Sequence, residues 1–221
     1  MQQRQGECGG FAGAGLRATE QVAALSTDQL VALTTLQSVA LFTSQYAALT
    51  TSQAAALTTA QVAALETADL VVLSTQALRA LSSAQFAALS TLQVSAVTST
   101  QVAWLSTANV ASLSTAQVAA LVTDNVQTLT TVNVAALSTL QIAALQTMQV
   151  QAIRTRQLVT LDNSQVLALT TDQVVALTSL QVRWLSTANV AALSSMQVAA
   201  LETTDVAVLT STNLRTLSAD Q

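Results

Sequence analysis

The sequence contains no proline, no histidine and no lysine, and its one cysteine is Cys8. Each absence excludes a class of chemistry. Without histidine or lysine, and with no clustered carboxylates, the usual acid, base and nucleophile constellations cannot be assembled, so no catalytic residue is assigned and the chain does not read as an enzyme. One cysteine gives no disulfide framework. No lysine, a net charge of -4 and only 8% charged residues leave no basic surface for the phosphate contacts that dominate nucleic-acid affinity. All five glycines lie between residues 6 and 15, so the rest of the chain lacks the Gly, Pro or Asn-Gly turns that join strands into hairpins. No apolar run approaches the roughly 18 residues of a membrane-spanning helix, and the high mean hydropathy comes from Ala, Val and Leu dispersed among Ser, Thr, Gln and Asn.

What is present is one octad, seen in Leu113 to Ala120 as Leu-Ser-Thr-Ala-Gln-Val-Ala-Ala and running in unbroken register from Arg17 to Gln221. With Leu113 as position 1, that position is Leu in 23 of 25 octads between residues 25 and 217, the exceptions being Val97 and Ile153. Position 3 is Ser or Thr in 24 of 26, and position 5 is Gln, Asn or Asp in 25 of 26, with Ala77 the departure and Gln76 beside it. Position 6 is apolar or aromatic in every octad but one; there Ser38 stands, and Val39 is expected to supply the missing volume. After Arg17 every charge falls at position 2, 4 or 7, except Asp69 and Asp205 at position 5. Unpaired charges are rarely buried, so positions 1, 6 and 8 read as core and positions 2, 4 and 7 as surface. Positions 3 and 5, polar yet restricted, read as groups with a fixed hydrogen-bonding task.

An eight-residue period excludes a single continuous helix, whose apolar stripe would drift by roughly 80° per octad. Strands are disfavoured because recurrent apolar positions would face both ways; a β-solenoid remains the alternative. The expected fold is an all-α solenoid of short capped helices, one per octad, stacked into a rod or superhelix. The Thr at position 3 is the preferred N-cap; Ser or Thr at position 2, closing a capping box with Gln at position 5, is the alternative. Ordering a lone octad costs more than burying one Leu and one Val returns, so stability must come from stacking. Residues 1–16 read as a flexible Gly-rich leader and residues 17–221 as the solenoid. Because Gln221 stops in mid-octad with no capping unit, the chain is expected to be part of a longer array, or to have its ends covered by partner proteins or by self-association.

The array resembles the octapeptide tracts of the Leu-Thr-Thr-Ala-Gln type in very large bacterial surface or secreted proteins, most closely at Leu57 to Ala64, Leu-Thr-Thr-Ala-Gln-Val-Ala-Ala. The resemblance implies a cell-surface or extracellular setting and brings no functional residues with it. Leu169 to Leu177 also looks like the first helix of a transcription activator-like effector repeat, but Thr171 stands where that family has Pro, and the second helix and base-reading loop are missing. Only the helix start carries over.

Four side chains stand out as candidate partner contacts. Trp104 and Trp184 both occupy position 8 and are both followed by Leu-Ser-Thr-Ala-Asn-Val-Ala; the plain reading is duplication of a ten-octad block. Arg154 and Arg156, with Asp162 one octad later, form the one charge cluster, with Arg154 and Asp162 expected as a solvated pair. Asp69 and Asp205 lack the oxygen-rich company of a calcium site; no metal and no cofactor is assigned. Two functions follow: a spacer, stalk or filament segment, or a binding module using the regular Ser/Thr rows or a superhelical groove for a partner protein, glycan or ice.

Overall fold

A computed structural model of the protein describes residues 19–221; the proposed leader and Cys8 lie outside the described residues. Twenty-four helices of four to six residues follow one another from Thr27–Val31 to Ser211–Thr216, and no strand occurs among the described residues. The fold is therefore an all-α solenoid of octad helices, and the β-solenoid alternative fails. The chain divides into two compact units, one ending at Val97 and the other running from Thr98 to Gln221.

Each octad is a helix that starts at position 3 and ends at position 6, 7 or 8, and a corner made of positions 1 and 2. In the octad that defines the register, Ser114 is extended at φ -68°, ψ 163°, Thr115–Ala120 is helical, and Leu121 is extended at φ -60°, ψ 134°. Both corner residues keep negative φ, within the region any L-residue adopts. That is why the array turns at every octad without glycine. The corner Leu still anchors to the helix it ends: the Leu121 N–H donates to the Val118 carbonyl at 3.2 Å.

The N-cap is position 2, which corrects the expectation that position 3 caps the helix. Ser138 Oγ accepts from the Gln141 N–H at 3.2 Å, and Gln141 Oε1 accepts from the Ser138 N–H at 2.7 Å, closing a capping box. Position 2 tolerates substitution because the cap has a fallback. At Phe42, Glu66, Val122, Arg154 and Glu202 the N–H of position 5 donates instead to the position 2 backbone carbonyl, at 2.8 to 3.0 Å. Asp162 caps with its carboxylate, Oδ1 accepting from the Gln165 N–H at 2.8 Å. Position 3 is the first helical residue, its side chain turned outward; the hydroxyls of Thr115, Thr139 and Thr171 take no part in capping.

Within each unit, a helix packs against the third helix along. Thr27–Val31 lies against Thr51–Ala56 in the first unit; in the second, Thr115–Ala120 lies against Thr139–Ala144 and Asn163–Leu167 against Thr187–Ala192. Positions 1 and 6 fill the interior, as in Val62, Leu65, Leu70 and Leu73 of the first unit and Val166, Leu169, Val174 and Leu177 of the second. Position 8, with the exception of the buried Ala176, does not join them. It lies about 200° round the helix from position 6, so Ala120, Ala136 and Ala144 are half-buried and Trp104 and Trp184 are exposed.

Among the described residues, every buried polar side chain other than Ser38 stands at position 5. The amide serves two coils at once. Gln173 Oε1 accepts from the Thr170 N–H at 2.8 Å, while Nε2 donates to the carbonyls of Ile142 at 2.9 Å and Leu145 at 2.6 Å, residues 31 and 28 earlier. Gln61 does the same in the first unit, onto Leu30 at 3.0 Å and Leu33 at 2.9 Å. A coil therefore closes after more than three octads and fewer than four, so each helix start lies over a helix end and its corner. Carbonyls at a helix end run short of intrahelical donors: Ile142 accepts from the Leu145 N–H at 3.2 Å, and the glutamine adds a second donor there and supplies the one that Leu145 takes. The shorter Asn189 keeps only the nearer carbonyl, Leu161 at 3.0 Å.

Besides the octads with Asp at position 5, two others depart from this pattern. Ser38 at position 6 is buried, and its gap is filled by Tyr46 of the next octad and not by Val39, which is 38% exposed. The Tyr46 hydroxyl donates to the Ser38 carbonyl at 2.6 Å and lies 3.0 Å from Ser38 Oγ. At Ala77, where the amide is missing, Ser74 Oγ still caps the Ala77 N–H at 3.1 Å, but Gln76 points to solvent and does not take over the bridge.

Candidate functional site

The position 5 carboxylates are structural variants of the glutamine. Asp205 has no N–H to give to the coil before it and instead accepts: the Ser179 hydroxyl donates to its Oδ1 at 2.8 Å. Asp69 is buried on the helix Thr67–Val72, which packs against Thr43–Ala47 carrying Tyr46. No group of three or more His, Cys, Asp or Glu residues able to hold a metal ion occurs among the described residues.

Trp104 and Trp184, both in the second unit, are 54% and 56% exposed. Trp184 ends the helix Ser179–Arg183, its N–H donating back to the Gln181 carbonyl at 3.1 Å; Trp104 does the same with Gln101 at 3.1 Å. Eighty residues separate them, almost three coils at the 28-residue offset set by the glutamine bonds. They do not form one site.

Arg154 and Arg156 are brought together. Arg154 is the N-cap residue of Thr155–Leu158, held by its backbone alone: its N–H donates to Gln157 Oε1 at 2.7 Å and its carbonyl accepts from the Gln157 N–H at 2.8 Å. Both guanidinium groups are exposed, and neither forms an ion pair among the described residues. The expected partner Asp162 is otherwise engaged, capping the next helix. The arginines border an open groove of about 540 Å³ with Gln127, Gln151, Thr155 and Leu180 also in its walls. The sequence pattern did not reveal these neighbours because the octad alone does not give the 28-residue offset. That offset brings Gln127 from one coil and Leu180 from the next to the arginines between them.

Burial pushes the Tyr46 phenol above its ordinary pKa; the Ser38 hydrogen bond opposes this, and the negative charges of Asp69 and Glu66 add to it. The group is a core hydrogen-bonding partner of Ser38.

No helix among the described residues is long and apolar enough to cross a membrane. No curated protein and no solved structure matches the chain. The model of the ALTTAQ repeat matches residues 39–67, 62–99, 98–131, 142–179 and 176–203, more than half of the sequence. The octad lattice and these matches give one conclusion: the chain belongs to the ALTTAQ repeat family.

Proposed function

We propose that the chain is a non-catalytic structural segment, a spacer or stalk in a bacterial surface or secreted protein, whose task is to hold distance and shape. The observation that supports this is the use of position 5. The one polar side chain buried in octad after octad bonds the backbone of its own helix start and of the preceding coil. Recurrent chemistry is thus directed inward, into stiffness. Outward positions vary freely: Leu36, Asp28, Met148 and Arg156 all occupy position 4. The surface setting rests on the resemblance of the repeat to tracts in large bacterial proteins.

The test replaces outward residues in blocks. In the producing cell, exchanging the position 4 residues of several octads is expected to leave the host protein's display unchanged, while deleting the same octads shortens its reach. Loss of function on outward exchange with length kept would overturn the reading.

One observation favours the second reading, a binding module. The position 3 hydroxyls repeat every eight residues and are not used as caps, so they form a regular polar surface open to a partner protein, a glycan or ice.

A further inference from the structure

We propose that the groove beside Arg154 and Arg156 binds an acidic polysaccharide. The proposal goes beyond the spacer reading, which stands or falls separately, because a segment that holds distance can also carry a ligand site.

The charge is the first argument. The chain carries -4 overall, yet two of its seven arginines line this groove and a third lies on a neighbouring helix. Arg154 and Arg156 lie on one turn, and Arg183 is on the helix Ser179–Arg183 that packs against Thr155–Leu158. Gln181 of that helix donates to the Ile153 carbonyl at 2.7 Å, which fixes the two segments in register. No carboxylate lines the groove. The planar fork of a guanidinium matches a carboxylate through two parallel hydrogen bonds.

The lining is the second argument. Gln127 and Gln151 occupy position 7, where the amide is not drawn into the coil-to-coil ladder, and the Thr155 hydroxyl is not used as a cap. Amides and a hydroxyl between arginines suit a ligand dense in hydroxyl groups. Leu180, 60% exposed at the groove edge, offers an apolar surface for the C–H face of a sugar ring. The groove is open, which suits a chain passing along it better than a small molecule enclosed within it.

An acidic peptide is the less favoured occupant. Peptide recognition uses a free sheet edge or an apolar groove for anchoring side chains; no strand exists among the described residues, and Leu180 is the one large exposed apolar side chain in this lining.

The experiment uses the full chain and an alginate oligosaccharide, a polymer of uronic acids, with binding read by calorimetry. Binding of wild type is expected, with at least a tenfold loss in Arg154→Gln/Arg156→Gln and no binding of a neutral dextran oligosaccharide of similar length. Both arginines are exposed, so the double variant keeps its helical circular dichroism spectrum; Leu180→Ser is the second variant, expected to weaken binding several-fold without changing the salt dependence. Equal affinity for polyglutamate would overturn the saccharide assignment in favour of any acidic polymer. Undiminished binding in the double-arginine variant, or no binding of alginate at all, would overturn the site.

Discussion

Gln173 and Leu145 are 28 residues apart in sequence and joined by a 2.6 Å hydrogen bond, the amide Nε2 of one donating to the backbone carbonyl of the other. The same side chain closes its own helix start through the Thr170 N–H. Local capping and coil stacking are thus one interaction, so an octad whose helix is well capped is also one that is well stacked. This explains how a chain with so few charges and no proline or glycine in its array specifies a single register.

The reach of the amide is what separates glutamine from asparagine at position 5. Gln173→Asn keeps an acceptor near the Thr170 N–H and retains the bond to the nearer carbonyl, as Asn189 does with Leu161, but loses the one to Ile142. A loss of about 1 kcal/mol is expected, the typical net value of one hydrogen bond. Urea denaturation followed by circular dichroism measures it, and no change would mean that the Ile142 bond adds nothing.

Position 2, not position 3, carries the cap. Ser138→Ala is expected to cost about 1 kcal/mol, while Thr139→Ala one residue later changes stability by less than about 0.5 kcal/mol, as surface substitutions usually do. Val122→Ser, which gives a side-chain cap to a helix without one, should stabilise by about 0.5 to 1 kcal/mol. Paired denaturation curves check all three, and the reverse ranking of Ser138 and Thr139 would move the helix start.

Tyr46 gives the protein an alkaline limit. Its folded-state pKa is raised by burial and by Asp69 and Glu66, so the folded state holds the phenolic proton more tightly than the unfolded state does. The contribution is complete below the unfolded pKa of about 10 and is lost as pH rises through the higher folded value. With one tyrosine and no lysine, few other groups titrate there. Stability measured across that window should fall in wild type and stay level in Tyr46→Phe, which at neutral pH is less stable by about 1 kcal/mol for the lost bond to Ser38.

Much of this was legible in the sequence. The period alone excluded one long helix, the distribution of charges separated positions 1 and 6 from 2 and 4, and the recurrence of Gln at position 5 announced a buried hydrogen-bonding task. Three features were not. Ser and Thr fill both positions 2 and 3, and only backbone geometry shows that Ser138 is the extended cap and Thr139 the first helical residue. Small Ala at position 8 resembles a core residue, yet the 100° step of the helix carries it to the rim, where Trp184 stands exposed. The groove beside Arg154 was invisible because the offset between coils is 28 residues, not a multiple of eight. Sequence neighbours of Arg154 are therefore not its spatial ones, and Gln127 and Leu180 could be joined to it only once the coil was known.

The central claim is that the position 5 amide holds the coils together. The most direct measurement compares Gln173→Ala with Asp172→Ala, adjacent residues, one buried and one exposed, by equilibrium urea denaturation. Removing the amide leaves the Leu145 carbonyl and the Thr170 N–H without partners and the Ile142 carbonyl with the Leu145 N–H alone, an expected loss of about 2 to 6 kcal/mol at roughly 1 to 3 for each of the two unsatisfied groups, while the Asp172 change should stay within about 0.5 kcal/mol. Equal effects of the two substitutions would contradict the account.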